Sequence, residues 1–139
     1  MNRSNRAMIF KLFFSIFIIL LPAIVFAQTP RVIEITGTKD NTFRSPGQKG
    51  SPVVKLKAGE VVTLRLTCFR GPEWEKDGTT HDLTVKEWKD QGWSVRCKTG
   101  TKDFTLVVPD KAGTFKAGCF NVKCGRGHDD MLATFIVEP

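Results

Sequence analysis

The sequence lacks most of what a catalytic or nucleic-acid-binding protein needs. Only two histidines, His81 and His128, occur in 139 residues. No segment pairs a nucleophile with a base, cradles phosphate in a glycine-rich loop, or sets out paired catalytic carboxylates, which argues against the common hydrolytic and phosphoryl-transfer chemistries. Repeats and low-complexity tracts are missing, and no long amphipathic helix can be traced. The formal charge is +7, yet Lys and Arg are spread singly among Asp and Glu, so nucleic acid is a poor fit as a partner.

Acidic residues are absent from the first 27 positions. That stretch carries Arg3, Arg6 and Lys11, then an apolar run from Leu12 to Phe26 broken by Ser15 and Pro22, then Val25-Phe26-Ala27. A basic lead, an apolar middle and a small-residue end make a secretory signal over residues 1–27. The run is short for a bilayer span of about 20 residues. An uncleaved anchor is the alternative, and the membrane enters the reading only that way. Both place residues 28–139 outside the cytoplasm, in the periplasm or an equivalent space. Those 112 residues (139 less 27) suit one domain, with 18 basic and 14 acidic side chains giving +4.

Beyond Pro30 the pattern has a period of two. Val62, Leu64, Leu66 and Cys68 share one face against Thr63, Arg65 and Thr67. Similar runs are Val32–Ile35, Val54–Ala58, His81–Lys86, Trp93–Cys97, Phe104–Val108, Thr114–Cys119 and Met131–Val137. Short strands between Gly, Pro, Asp and Lys turns predict an all-β protein, a two-sheet antiparallel Greek-key sandwich. Residues 38–52 read as a connector, and the charged loop 70–80 as a shaper of the approach to His81.

The chemistry gathers in two places. His81 is in phase with Leu83 and Val85, so its ring leans toward the core at one end of the sandwich. His128 lies in a segment holding Cys119, Cys124 and Met131 as well, all within 13 residues. Thiolate, imidazole and thioether are ligands that copper favours, and two histidines, a cysteine and a weak methionine form a pattern known from copper electron-transfer sites. Gly125 and Gly127 allow the tight path that such convergence needs.

The segment Pro109-Asp110-Lys111-Ala112-Gly113-Thr114-Phe115, followed by Cys119 and the run Cys124-Gly125-Arg126-Gly127-His128-Asp129-Asp130-Met131, resembles the cupredoxins. It looks most like the copper A domain of cytochrome oxidase subunit II. The resemblance implies His81, Cys119, Cys124, His128 and Met131 as metal ligands, with both cysteines bridging two coppers if the centre is dinuclear. It also implies electron transfer with a respiratory or periplasmic redox partner, by a monomeric carrier rather than an enzyme. Cys119 and Cys124 are separated by four residues where that family has three, so one or two coppers remain open.

Rival readings attach to the same residues. A Cys119–Cys124 disulfide would close a surface turn but leave His81, His128 and Met131 unused. Zinc held by His81, Cys119, Cys124 and His128 would be tetrahedral, and is less well matched because Met131 has no part in it. Copper storage or delivery, and a small red-copper redox enzyme, are the functional alternatives. Cys68 and Cys97, both in inward phase, are expected to form a structural disulfide. Trp74, Trp88 and Trp93 are read as packing residues, and Asp129 and Asp130 as exposed.

Overall fold

The computed structural model describes residues 29–70, 81–120 and 127–139. The expected signal segment 1–27, Trp74 with nearly all of its charged loop, and Cys124 lie outside these residues. Among the described residues no helix is long and apolar enough to cross a membrane.

The described residues form nine strands: β1 (Arg31–Gly37), β2 (Phe43–Arg44), β3 (Val53–Lys57), β4 (Val61–Cys68), β5 (His81–Val85), β6 (Ser94–Cys97), β7 (Gly100–Val107), β8 (Gly113–Gly118) and β9 (Leu132–Glu138). They make a four-stranded sheet ordered β2-β1-β4-β7 and a five-stranded sheet ordered β3-β9-β8-β5-β6. Alternation sets the inward faces. In β4, Val62, Leu64, Leu66 and Cys68 are buried while Thr63, Arg65 and Thr67 stay partly open to solvent.

Between the sheets lies an aromatic centre. Trp93 meets Phe135 edge-on at 5.4 Å, and Trp88 packs against Phe115 at 4.5 Å. The indole Nε1 of Trp93 donates to the Val107 carbonyl at 2.8 Å, so this buried ring also tethers one sheet to the edge of the other.

The all-β sandwich is as expected, with three differences in detail. Pairing is not antiparallel throughout, because β1 runs parallel to β4 and β3 parallel to β9. An even number of chain reversals separates the members of each pair, and the chain changes sheets between them. Residues 38–52 are more than a connector, since Phe43 is buried and β2 pairs with the end of β1. A short 3-10 helix, Lys86–Gln91, joins β5 to β6 and turns Trp88 into the core.

Cys68 and Cys97 form the expected disulfide, with Cα atoms 6.2 Å apart. It joins the end of β4 in one sheet to the end of β6 in the other, closing a loop of 29 residues. Replacing both cysteines by alanine is expected to lower the unfolding free energy by about 2–4 kcal/mol. Denaturant melts of the double variant against the parent check this, and an unchanged midpoint contradicts it.

Candidate metal centre

β5 differs from every other strand in being buried along its whole length, His81 through Val85. Leu83 and Val85 point into the core as alternation requires, and His81 follows them to the pole where both sheets end. There its ring lies against Gly37, the last residue of β1. A Cβ on Gly37 would stand 2.7 Å from His81 Cδ2 and 3.0 Å from Met131 Cε, so the bare backbone at this position is what lets both side chains sit where they do.

The two ring nitrogens of His81 have different surroundings. Nε2 lies 2.9 Å from the Phe69 carbonyl oxygen. A carbonyl can only accept, so Nε2 carries the proton and Nδ1 keeps its lone pair. Nδ1 is buried and has no hydrogen-bond partner among the described residues. Leaving a buried acceptor in this state costs about 1–3 kcal/mol, and an incoming cation would recover it. Burial pushes the His81 imidazole below its ordinary value of 6.5; the Phe69 carbonyl opposes this and the neighbouring His128 adds to it.

Cys119 and His128 complete a cluster. One donor atom from each of His81, Cys119 and His128 lies within 4.8 Å of the other two, and all three residues are buried. The imidazole rings of His81 and His128 stand 5.3 Å apart, tilted by 56°. Cys119 follows the last residue of β8, and its backbone N–H donates to the Met131 carbonyl at 3.2 Å. The Met131 N–H donates in turn to the His128 carbonyl at 3.0 Å. Gly127, at φ 82°, holds a left-handed conformation that favours glycine, one residue before His128.

Four of the five residues singled out in the sequence therefore gather at one pole. His81, Cys119 and His128 present donor atoms to a common point, and Met131, fully buried, brings its thioether arm to the His81 ring over Gly37. Cys124 lies outside the described residues. Asp129 and Asp130 are exposed, as expected.

Protein-family models give no match to this chain, and neither do curated proteins. Solved structures do. One chain of a heme-copper terminal oxidase dimer aligns at a TM-score of 0.54 and 20% identity, over 78% of this chain and 65% of that one. This chain therefore spans just under two thirds of the oxidase chain. Auracyanin B aligns at 0.51 and 17% identity, over 81% of this chain and 92% of its own. Auracyanin A, a "blue" copper protein from the green thermophilic photosynthetic bacterium Chloroflexus aurantiacus, aligns at 0.51 and 16%, covering 79% of this chain and 100% of its own. The fold is cupredoxin-like.

Within this cupredoxin-like sandwich, two residues overlooked in the sequence border the cluster. Gly37 is one. Asp82 is the other: its backbone N–H donates to Cys119 Sγ at 3.4 Å, and the thiol donates to Asp82 Oδ1 at 3.2 Å. Thr84 Oγ1 donates to Asp82 Oδ2 at 2.6 Å and lies 2.9 Å from Ser94 Oγ. Asp82 is out of phase with His81, so alternation assigns it to the outer face, where it reads as a solvated carboxylate. The available signal was polar Asp82 and Thr84 sharing that face directly beside a candidate ligand.

Two predictions follow from this geometry. Gly37→Ala is expected to cost about 1–3 kcal/mol through overpacking and to shift the NMR signals of the His81 ring and Met131 methyl; unchanged signals would contradict the close approach. The second concerns pH. Below its ordinary pKa the unfolded chain protonates His81 while the buried ring in the folded, metal-free protein resists, so the unfolded state binds more protons and stability falls with pH. The loss should begin near 6.5 and continue to the lower pKa of the folded state. His81→Gln should flatten the slope of unfolding free energy against pH in that window, and an equal slope in both proteins contradicts the assignment.

Proposed function

We propose that this chain is an exported copper protein that carries single electrons between partner proteins. The observation supporting it is that one ligand atom each of His81, Cys119 and His128 lies within 4.8 Å of the other two at one end of the sandwich, where His81 Nδ1 is buried without a hydrogen-bond partner among the described residues. Two imidazoles and a thiol fit copper by donor chemistry, and Met131, buried at the same pole, would add a soft, weak fourth donor. When bound, copper would supply a one-electron couple.

The chain's own residues do the rest. Phe69 fixes the His81 tautomer through the Nε2–H bond, so Nδ1 is ready to bind. The Asp82 N–H aims at Cys119 Sγ and would stabilise it as a thiolate. Burial of His81, Cys119, His128 and Met131 keeps water from the ion and leaves little room for a substrate to reach it. That favours a carrier over the oxidase and reductase activities named for some structures of this fold, such as a copper nitrite reductase from Nitrosomonas europaea that aligns at 0.53 and 19% identity over 42% of its length. Buried donors on β5, on the segment leaving β8 and on the turn leading into β9 also favour repeated cycling over release to another protein, as storage or delivery would need. Export is supported by the signal-like residues 1–27 and by the Cys68–Cys97 disulfide, a bond typical of oxidising compartments.

Addition of Cu(II) to the metal-free protein tests this reading. The expected result is an intense visible thiolate-to-copper band that ascorbate bleaches and reoxidation restores without loss of metal. Cys119→Ser should abolish the band. The electron-spin spectrum decides the copper count, and the hyperfine pattern of a single copper would need only His81, Cys119 and His128 from the converging donors. A pattern from one electron shared over two coppers would instead bring Cys124 into the site. A colourless copper-loaded protein would sink the proposal.

A further inference from the structure

Outside the polar cluster, the outer face of the five-stranded sheet carries a groove of about 370 Å³. It is lined by Asp82, Thr84, Lys86, Lys89, Ser94, Arg96 and Phe120. Register explains its floor: Thr84 pairs with Ser94 and with Gly118, and Asp82 pairs with Arg96, so these side chains share the outward face of β5, β6 and β8. Phe120 closes one end. Its ring lies on Gly118, where a Cβ would come within 2.6 Å of Phe120 Cζ. The Lys86 ammonium sits 4.2 Å from the centre of that ring.

The groove is cationic and it ends at the candidate metal thiolate. Lys86, Lys89 and Arg96 are exposed along its walls, and among its described lining residues Asp82, at the buried base, is the one carboxylate. Neither Lys86 nor Lys89 has an ion-pair partner among the described residues. A second groove of about 310 Å³ adjoins it through Arg96 and adds Lys98 and Lys102. Five cations thus follow the seam where β6, the edge of one sheet, meets β7, the edge of the other. From the groove, Cys119 Sγ is one hydrogen bond away through Asp82 and one peptide unit away through Phe120.

Cations on an edge strand also block unwanted strand pairing. That accounts for Arg96, Lys98 and Lys102, which lie on or beside β6 and β7. It does not account for Lys86 and Lys89, which lie on the 3-10 helix and face the same groove.

We propose that the Lys86–Lys89–Arg96 groove is the docking surface for an acidic redox partner protein, bringing the partner's carboxylates to the face of the sheet directly outside Cys119. The proposal rests on the copper reading for the word redox, whereas the docking itself does not. Charge complementarity selects the occupant. Nucleic acid is disfavoured, because the groove offers one half-buried aromatic ring and has a carboxylate at its base.

Two arms test it. In the first, a glutamate decapeptide is titrated at low salt into the metal-free, isotope-labelled protein. Amide signals of Lys86, Lys89, Ser94, Arg96 and Phe120 should move, and binding should weaken about tenfold in Lys86→Glu/Lys89→Glu. Lys49→Glu/Lys111→Glu, at exposed positions outside both grooves, should bind as the parent does. Arg96 is left intact because Arg96→Glu would set two carboxyl groups opposite each other in the register. Shifts elsewhere, or equal loss in both variants, would overturn the docking surface. Tighter binding of a single-stranded oligonucleotide than of the peptide at matched charge would overturn it in favour of nucleic acid.

In the second arm the copper(I)-loaded protein is oxidised by hexacyanoferrate(III). One electron leaves the copper, giving copper(II) and hexacyanoferrate(II). Lys86→Glu/Lys89→Glu should slow this reaction about tenfold and accelerate oxidation by cationic tris(phenanthroline)cobalt(III). Unchanged rates would refute the groove as the point of electron exchange. Failure to load copper would defeat the copper reading and leave the peptide arm standing, so the two failures are distinguishable.

Discussion

The site depends on β5 being buried on both faces. A strand in a two-layer sandwich normally turns one face to the core and the other to water. Here the outward residues, Asp82 and Thr84, are covered as well, because the chain leaving β8 folds Cys119 and Phe120 across them. Burying a carboxyl and a hydroxyl is costly unless their polar atoms find partners. The chain Ser94, Thr84, Asp82, Cys119 provides them. The dependence is mutual: the strand's polar side is tolerable only under the thiol-bearing turn, and that turn is held by the strand it covers. His81, on the inward side of the same strand, inherits the rigidity of both layers.

A period of two reports which side of a strand a residue occupies, and this made much of the architecture legible. The alternation at Val62 to Cys68, the inward phase of Cys68 and Cys97, and the phase of His81 with Leu83 and Val85 all point where the structure has them. Hidden from it was anything set by what lies over an outer face. Asp82 reads as a solvated carboxylate until Cys119 is seen above it, and Gly37 reads as a strand end until the rings of His81 and Met131 are found against its Cα. The parallel pairings escaped for a related reason: β1 and β4 become neighbours only after the chain has visited the other sheet, and no local pattern encodes that route. The metal-type chemistry was legible because histidine is so scarce in this chain that both of its positions carry weight.

Charge follows the same division between local and global. Arg65 is forked onto Asp103 and also reaches Glu34 on the outer face of the four-stranded sheet, and Arg31 is forked onto Glu60; such exposed pairs contribute little to stability. They do, however, neutralise one side of the molecule locally. The lysines of the 3-10 helix lack such partners among the described residues, and with Lys98 and Lys102 they set positive charge along the seam beside Cys119. A charge balance that looked featureless along the sequence acquires a direction once the sheets are assembled.

The disulfide gains a second meaning from register. Cys68 is the β4 partner of Gly37, and Cys97 is the β6 partner of His81. The bond between them therefore ties the strand beside Gly37 in one sheet to the strand beside His81 in the other. Gly37 and His81 are the two surfaces whose close approach defines the pole, one from each sheet. Hydrophobic packing alone resists the separation of two sheets but constrains their sliding more weakly, since apolar burial is non-directional. A covalent tie one strand away from the contact on each side removes that freedom where a shift of a few tenths of an ångström would matter most. An ion cycling between two states at the proposed site would need ligands that stay in place, and a buried Nδ1 without a hydrogen-bond partner among the described residues works against stability while metal-free. The crosslink answers both demands: it offsets the cost of keeping the imidazole in waiting and fixes the sheets at the point where the donors meet.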